Sequence, residues 1–257
     1  MTETRRYYSE KGLTATFYDV VTALDPTLQG DIDIYGGLVP AGGHVLELGA
    51  GTGRVSLALA ERGLSVTGLD LAPTMLAQAQ AKRATLAPEL ASRLTFIQGD
   101  MAALSLPDTY DAVICPYFGL AHLPAGAAWR NVFAGVASHM KPGALAAFHL
   151  PDAKRMAEAP RAPKGVPVLQ HTLDWSGRKL LVYIHERTAR LDIGRFDQVV
   201  DHVVTDAFGK EERRARERLT YYAADPTPVA EAAGLVQDRE PIPQGGAGAI
   251  HVFRKPD

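Results

Sequence analysis

Cys115 is the single cysteine in 257 residues. One thiol makes no intramolecular disulfide and no multi-cysteine metal cage, which fits a reducing compartment. Long apolar runs are missing as well. None approaches the roughly 20 residues that cross a bilayer, and the N-terminal MTETRRYYSEKG has no apolar signal core. A cytoplasmic protein is expected. Nor is there a surplus of positive charge: 27 Lys and Arg stand against 29 Asp and Glu, a net charge of −2. Broad binding to a phosphate backbone needs clustered excess Lys and Arg. The one basic-looking run, Lys210 to Leu219, is interrupted by Glu211, Glu212 and Glu217 and reads as a solvated strand or turn. Internal repeats and low-complexity blocks are also lacking.

The remainder is ordinary globular composition, 46% hydrophobic and 22% charged, with enough length for one large α/β domain. From Val45 to Leu150 short apolar runs alternate with longer stretches at helical spacing. Val45–Gly49, Ser65–Leu69, Leu94–Gln98, Ala112–Cys115 and Ala144–His149 read as strands. Arg54–Arg62, Thr74–Leu86 and Gly126–Met140 read as helices, and Pro142-Gly143 as a turn. Such alternation predicts a parallel sheet covered on both faces. After Pro151 the character changes. Asp152–Val166 reads as a connection or lid, and from Val168 to Ala223 the apolar period is closer to two, which predicts an inserted antiparallel meander. Ala224–Ala233 resumes as a helix ended by Gly234. Leu235–Glu240 and Ala249–Arg254 complete the strands, with Pro241 to Gly248 as a hairpin loop.

Three local patterns carry the chemistry. In VLELGAGTGRV, Val45 to Val55, a buried strand enters a glycine-rich turn and then a helix. Gly49, Gly51 and Gly53 lack Cβ atoms, so a ligand can approach the backbone, although such turns also serve dinucleotides. Asp70 ends the second strand about twenty residues after that turn, where a carboxylate can accept hydrogen bonds from both hydroxyls of a ribose. Asp100 follows the third strand, placed to accept from an adenine amino group while Met101 covers the ring.

Together these patterns resemble the class I S-adenosylmethionine-dependent methyltransferases, whose first motif commonly reads E/D-x-G-x-G-x-G. The match is good from about Gly36 to Pro151 and loose from Ala224 to Arg254. Ala144 replaces the second glycine of the family's "PGG" turn. The resemblance implies a Rossmann-like, seven-stranded, mostly parallel sheet in an αβα sandwich. It further implies an N-terminal helical lid over residues 1–35, a cofactor domain over 36–151 and 224–257, and a β insertion over 152–223 that shapes an acceptor pocket or a dimer contact. It assigns Glu47, Gly49, Ala50, Gly51 and Gly53 to the methionine part of S-adenosylmethionine. Asp70 falls to the ribose, Leu71 and Met75 to the flank of the adenine, and Asp100 and Met101 to its edge.

Methyl transfer from a sulfonium is an in-line displacement, in which holding the acceptor behind the methyl carbon supplies much of the catalysis. A base is needed only where the acceptor must lose a proton. The expected pattern is therefore strong cofactor motifs and weak catalytic ones, as found here. Pro116, Tyr117 and Phe118 follow the fourth strand and are expected along the methyl channel, with Pro116 and Tyr117 also against the cofactor. His122 on the same loop and His149 at the end of the fifth strand are candidate bases or orienting groups. Tyr7, Tyr8, Phe17 and Tyr18 cluster near the N-terminus, and Tyr18 is the expected lid contact and a third catalytic candidate. Trp175 is a candidate for the acceptor pocket, as are Asp152, Tyr221 and Tyr222. No metal is expected.

The reading is thus a small-molecule N- or O-methyltransferase, monomeric or homodimeric, without nucleic-acid or membrane partners. A nucleic-acid methyltransferase is the first alternative, but Ile114-Cys115-Pro116-Tyr117 lacks the Asn or Asp of the N/D-P-P-Y/F motif. A cofactor-binding protein without transferase activity is another. A nicotinamide oxidoreductase fits less well, because its turn reads G-x-G-x-x-G rather than G-A-G-T-G.

Overall fold

Val45, Leu46 and Leu48 have no solvent exposure, and neither do Ala112, Val113, Ile114 and Cys115. Strands apolar on both faces belong in the middle of a parallel sheet covered by helices, and the chain folds accordingly. The computed structural model describes residues 3–9, 12–158, 162–246 and 248–257. The predicted lid and connection each include a few residues outside that set, and the hairpin loop includes one.

The first half of the chain runs β1 (Thr4–Arg6), α1 (Thr14–Ala23), α2 (Asp31–Gly36), β2 (His44–Leu48), α3 (Arg54–Glu61), β3 (Ser65–Asp70), α4 (Pro73–Ala84), α5 (Pro88–Ala91), β4 (Leu94–Gln98), β5 (Tyr110–Cys115) and α6 (Ala127–His139). The second half runs β6 (Met140–Pro151), α7 (Ala153–Glu158), β7 (Leu169–Thr172), β8 (Lys179–Arg190), β9 (Arg195–Thr205), β10 (Glu211–Tyr222), α8 (Thr227–Ala232), β11 (Val236–Gln237), β12 (Ile242–Gln244) and β13 (Gly248–Arg254). The main sheet has the order β11-β13-β6-β5-β2-β3-β4, with β12 added on β13. Pairing is parallel from β6 to β4, and β13 runs antiparallel to β6.

Period-two alternation divides the strands between two cores. Leu46, Leu48, Val113 and Phe148 face the side covered by α6, packing with Trp129, Val132, Phe133 and Val136. Val45, Val66, Ile114 and Val252 face the other side, with Val55 and Leu59 of α3 and Tyr35 of α2. Each wholly buried aromatic ring contributes about 1.5–3 kcal/mol.

A second sheet, ordered β1-β10-β9-β8-β7, holds the antiparallel insertion. Its edge adds a strand to the expected helical N-terminal lid: Thr4–Arg6 runs parallel to β10 before the chain turns into α1. Leu13 packs with Leu180, Val200 and Val204 of this sheet, and Phe17, Val20 and Val21 of α1 lie against that cluster. Glu217, fully buried on β10, accepts hydrogen bonds from the Leu13 and Thr14 backbone N–H groups at 3.0 Å each. Gly12 makes this approach possible, since a Cβ there would fall 2.2 Å from Glu217 Oε1.

Smaller corrections have local causes. The Pro142-Gly143 turn is absorbed into β6 as an irregularity of register opposite Tyr110–Ala112, with Gly143 at φ +72°. The hairpin loop after Pro241 contains β12, paired to β13 through Ile242 and Ile250. Only Val236–Gln237 of the expected Leu235–Glu240 strand pairs. No helix among the described residues is long and apolar enough to cross a membrane.

Candidate active site

The turn between β2 and α3 passes through three left-handed glycines, Gly49 at φ +73°, Gly51 at +56° and Gly53 at +81°, a region closed to most side chains. This lets the Gly49 and Ala50 N–H groups both donate to the Leu69 carbonyl, at 2.8 and 3.0 Å. A Cβ at Gly49 would stand 3.6 Å from the Met101 methyl, and one at Gly51 3.4 Å from that of Met75. The glycines thus form one wall of a cleft, with two methionines opposite.

Asp70 ends β3 beside this turn. One carboxylate oxygen accepts from Gly51 N at 2.7 Å and the other from Ala72 N at 2.8 Å. Each keeps lone-pair capacity for a further donor. Burial pushes its carboxyl above the usual range, against the backbone N–H bonds. Glu47, only 2% exposed, accepts from the Ser56 hydroxyl. Burial pushes its carboxyl up to about 8, with the Ser56 bond and nearby Arg54 opposing. Arg54 is clasped by the buried Asp31 through two bonds of 3.0 and 2.5 Å. Asp100 caps its own turn, accepting from Ala102 N at 2.8 Å.

These groups line one cavity of about 850 Å³. Glu47, Gly49, Ala50, Gly51 and Asp70 lie along it, followed by Leu71, Met75, Asp100 and Met101. Pro116, Tyr117, His122 and Tyr18 line it too, as do Tyr7, Tyr8 and Tyr222. Tyr8, Tyr18 and Tyr117 form a chain of edge-on rings with centroids 5.9 and 6.4 Å apart. The Tyr117 hydroxyl donates to Asp25 at 2.8 Å. Helix α1 is tied to the cofactor-side elements by the Thr52 hydroxyl donating to Asp19 at 2.6 Å and by Lys82 on the other Asp19 oxygen at 2.6 Å.

Other expected residues are placed elsewhere. Tyr117 and Phe118 are consecutive left-handed residues, at φ +46° and +62°. The turn leaves Tyr117 on the cavity, whereas Phe118 is buried in the core. His149 is completely buried, its ring 4.4 Å from that of Phe118. Neither of its nitrogens has a hydrogen-bond partner among the described residues, and burial pushes the imidazole down to about 4. It does not line the cavity, so it does not reach an acceptor held there. Gly53 is a packing glycine: a Cβ would meet Phe96 at 3.0 Å and Ala79 at 3.3 Å. Trp175 is 99% exposed on the β7–β8 turn, outside the cavity. Asp152 accepts from Arg155 N, and Tyr221 lies behind the lining, packing on His122 at 5.0 Å. Phe17 serves the core under the second sheet.

His122 is therefore the imidazole on the cavity. Burial pushes it down to about 4, against a hydrogen bond with the Thr220 backbone, so it is neutral near pH 7. Three arginines complete the wall, Arg6, Arg195 and Arg218. No local pattern marks them, because strand pairing across about two hundred residues brings them together.

Residues 45–143, from β2 into β6, match a family model described as a methyltransferase domain. This stretch holds the glycine turn, Asp70 and Asp100. By that match it is a methyltransferase domain. The resemblance read from ELGAGTG therefore holds, and the cofactor of such a domain is S-adenosylmethionine. Among relatives, a mitochondrial ubiquinone biosynthesis O-methyltransferase of Schizosaccharomyces pombe is 39% identical over 75 residues, 29% of this chain and 27% of that protein. The chain spans less than half the length of the curated relatives it matches first. Likeness in fold extends much further. The CcbJ methyltransferase from Streptomyces caelestis superposes with a TM-score of 0.75 over 98% of this chain and 99% of that one, at 20% identity. CalS10 with bound S-adenosylmethionine, an amino pentose methyltransferase from Micromonospora echinaspora, does so with 0.64 over 93% and 96%, at 23% identity. The likeness extends over most of the chain, well beyond residue 143, where the family match ends.

Proposed function

We propose that this chain transfers a methyl group from S-adenosylmethionine to a nitrogen or oxygen of a small-molecule acceptor. The observation that carries this reading is the cavity of about 850 Å³, walled at one end by the glycine turn and roofed by Tyr8, Tyr18 and the end of β10. That volume lies high in the range for ligand pockets and gives room for two ligands side by side. The donor set fits the cofactor. The two Asp70 oxygens suit a vicinal diol, and Glu47 suits an ammonium. Leu71, Met75 and Met101 offer apolar contact to a base whose amino edge Asp100 can accept, and Gly49 and Gly51 leave space that a Cβ would fill.

When bound, S-adenosylmethionine supplies an electrophilic methyl on a sulfonium. The chain's own contribution is alignment and exclusion of water. Tyr18 and Tyr117 close over the cleft, with Tyr117 fixed by Asp25. His122, neutral and on the acceptor side, offers a nitrogen that orients an acceptor N–H or O–H; depressed to about 4, it is a weak base and serves chiefly by hydrogen bonding. Residues 1–35 act as the lid and 152–223 as the acceptor-shaping insertion, in a monomer or homodimer. CalS10 acts on an amino pentose, and that chemistry places amino-sugars early among the acceptors to try.

The test is calorimetric titration with S-adenosylmethionine and S-adenosylhomocysteine, then a screen of amines, phenols and amino-sugars for methyl transfer. Micromolar binding of both with turnover on one acceptor supports the proposal. Absence of binding by folded protein overturns it, and binding of NAD instead would indicate an oxidoreductase.

A further inference from the structure

The cavity is divided by charge. Its acidic groups, Glu47, Asp70 and Asp100, stand around the glycine turn together with Arg54, which Asp31 neutralises; the other three arginines of its lining, Arg6, Arg195 and Arg218, stand at the end made by β1, β9 and β10. Arg6 and Arg218 face each other directly across the parallel β1–β10 pair. Like charges in that position destabilise a sheet.

The rest of β10 shows how the fold treats its other arginines on the same face. Arg216 is bound to Asp201 at 2.6 Å, and Arg214 holds both Asp201 at 3.0 Å and Glu211 at 2.7 Å. At the cavity end one carboxylate, Asp197, is supplied. It is taken up by Arg195 at 2.8 Å and by the Thr220 hydroxyl at 2.6 Å. Among the described residues Arg6 and Arg218 make no contact ion pair, although the charge of Arg218 reaches Asp197, and both are exposed on the wall. The cluster therefore holds three guanidinium groups against one carboxylate.

We infer that this end of the cavity binds an anionic group of the methyl acceptor, a carboxylate or a phosphate, remote from the atom that is methylated. The inference rests on the proposed function, which makes the cavity the site of transfer. Guanidinium groups match both oxyanions in geometry and in charge. Arg54, the first residue of α3, lines the cavity beside the glycine turn and is the cation on the cofactor side, although Asp31 holds it by two bonds. Arg6 and Arg218 are thus left for the acceptor, as a grip that fixes its orientation as well as its affinity.

The experiment is calorimetry of the intact protein with pyrophosphate and with succinate, at low ionic strength, with and without S-adenosylhomocysteine. Wild type is compared with Arg6→Gln, Arg218→Gln, Arg218→Lys and, on the remote β9–β10 turn, Lys210→Gln, with thermal melts as a check on folding. Expected is binding of at least one anion, weakened about tenfold by either Arg→Gln change, less by Arg218→Lys and not at all by Lys210→Gln, with S-adenosylhomocysteine affinity unchanged. Tighter pyrophosphate indicates a phosphate-bearing acceptor, tighter succinate a carboxylate-bearing one. The inference is overturned if wild type binds neither anion, if Lys210→Gln weakens binding equally, or if the arginine variants lose S-adenosylhomocysteine instead. Arginine-dependent anion binding by a protein that ignores S-adenosylhomocysteine would leave the anion site standing and remove the methyltransferase reading.

Discussion

Replacing Glu47 by glutamine is expected to make the protein more stable and less able to bind S-adenosylmethionine. Glu47 is 2% exposed, and burial lifts its carboxyl from 4.5 to about 8. Near neutrality the folded protein holds a proton that the unfolded chain has released. A raised carboxyl of this kind contributes its full stability below about pH 4.5 and loses it as pH climbs through 8. At about 1.4 kcal/mol per tenfold in proton affinity, the loss is about 3 kcal/mol at pH 7 and about 5 above pH 8. Glutamine keeps the size and an acceptor for the Ser56 hydroxyl, and it does not titrate. The Glu47→Gln protein should therefore melt roughly 6–12 °C higher at pH 7, with an advantage that is small near pH 5 and grows to pH 9. Its affinity for the cofactor should fall at least tenfold, as an ammonium neighbour loses its counter-charge. In wild type the same coupling requires release of nearly one proton per cofactor bound at pH 7, readable by calorimetry in buffers of different ionisation enthalpy. A variant no more stable than wild type, or one whose advantage stays constant from pH 5 to 9, would refute the reasoning.

Three further outcomes are expected. Asp70→Ala should weaken binding of both S-adenosylmethionine and S-adenosylhomocysteine by at least tenfold; unchanged affinity in a folded variant removes the ribose role. Glu217→Ala strands the buried N–H groups of Leu13 and Thr14 and should cost about 2–5 kcal/mol, measured by urea unfolding, with faster proteolysis near the N-terminus; a loss under 1 kcal/mol would deny Glu217 its anchoring part. Trp175→Ser should leave turnover and cofactor affinity within twofold of wild type, because the ring lies outside the cavity; a large rise in KM would return Trp175 to the acceptor site.

The cofactor half of the site is legible in the chain because it is local. A strand end, three glycines and a carboxylate twenty residues later are fixed by backbone geometry that any reader of the sequence can apply. Gly53 already marks the limit of that legibility. It shares the motif and the positive φ with Gly49 and Gly51, yet its missing Cβ makes room for Phe96 and Ala79 rather than for a ligand, and no spacing rule separates the two uses. Phe118 and His149 mark the next limit. Phe118 follows a strand end and His149 lies close to one, as a site residue should, but two consecutive left-handed residues turn Phe118 inward, where it covers His149.

The acceptor half is illegible for a different reason. Arg6 meets Arg218, and Glu217 meets Leu13, only through the register of β1 on β10, a pairing between segments some two hundred residues apart. In the sequence Glu217 simply dilutes a basic run. In the fold it alternates with Arg216 and Arg218 across a pleat, so that the carboxylate points inward to anchor the N-terminal segment while Arg218 remains on the cavity wall. One strand thereby both holds the roof in place and presents a charge to whatever lies beneath it. A change at Glu217 should therefore move acceptor affinity together with stability, whereas a change at Arg218 should move acceptor affinity alone.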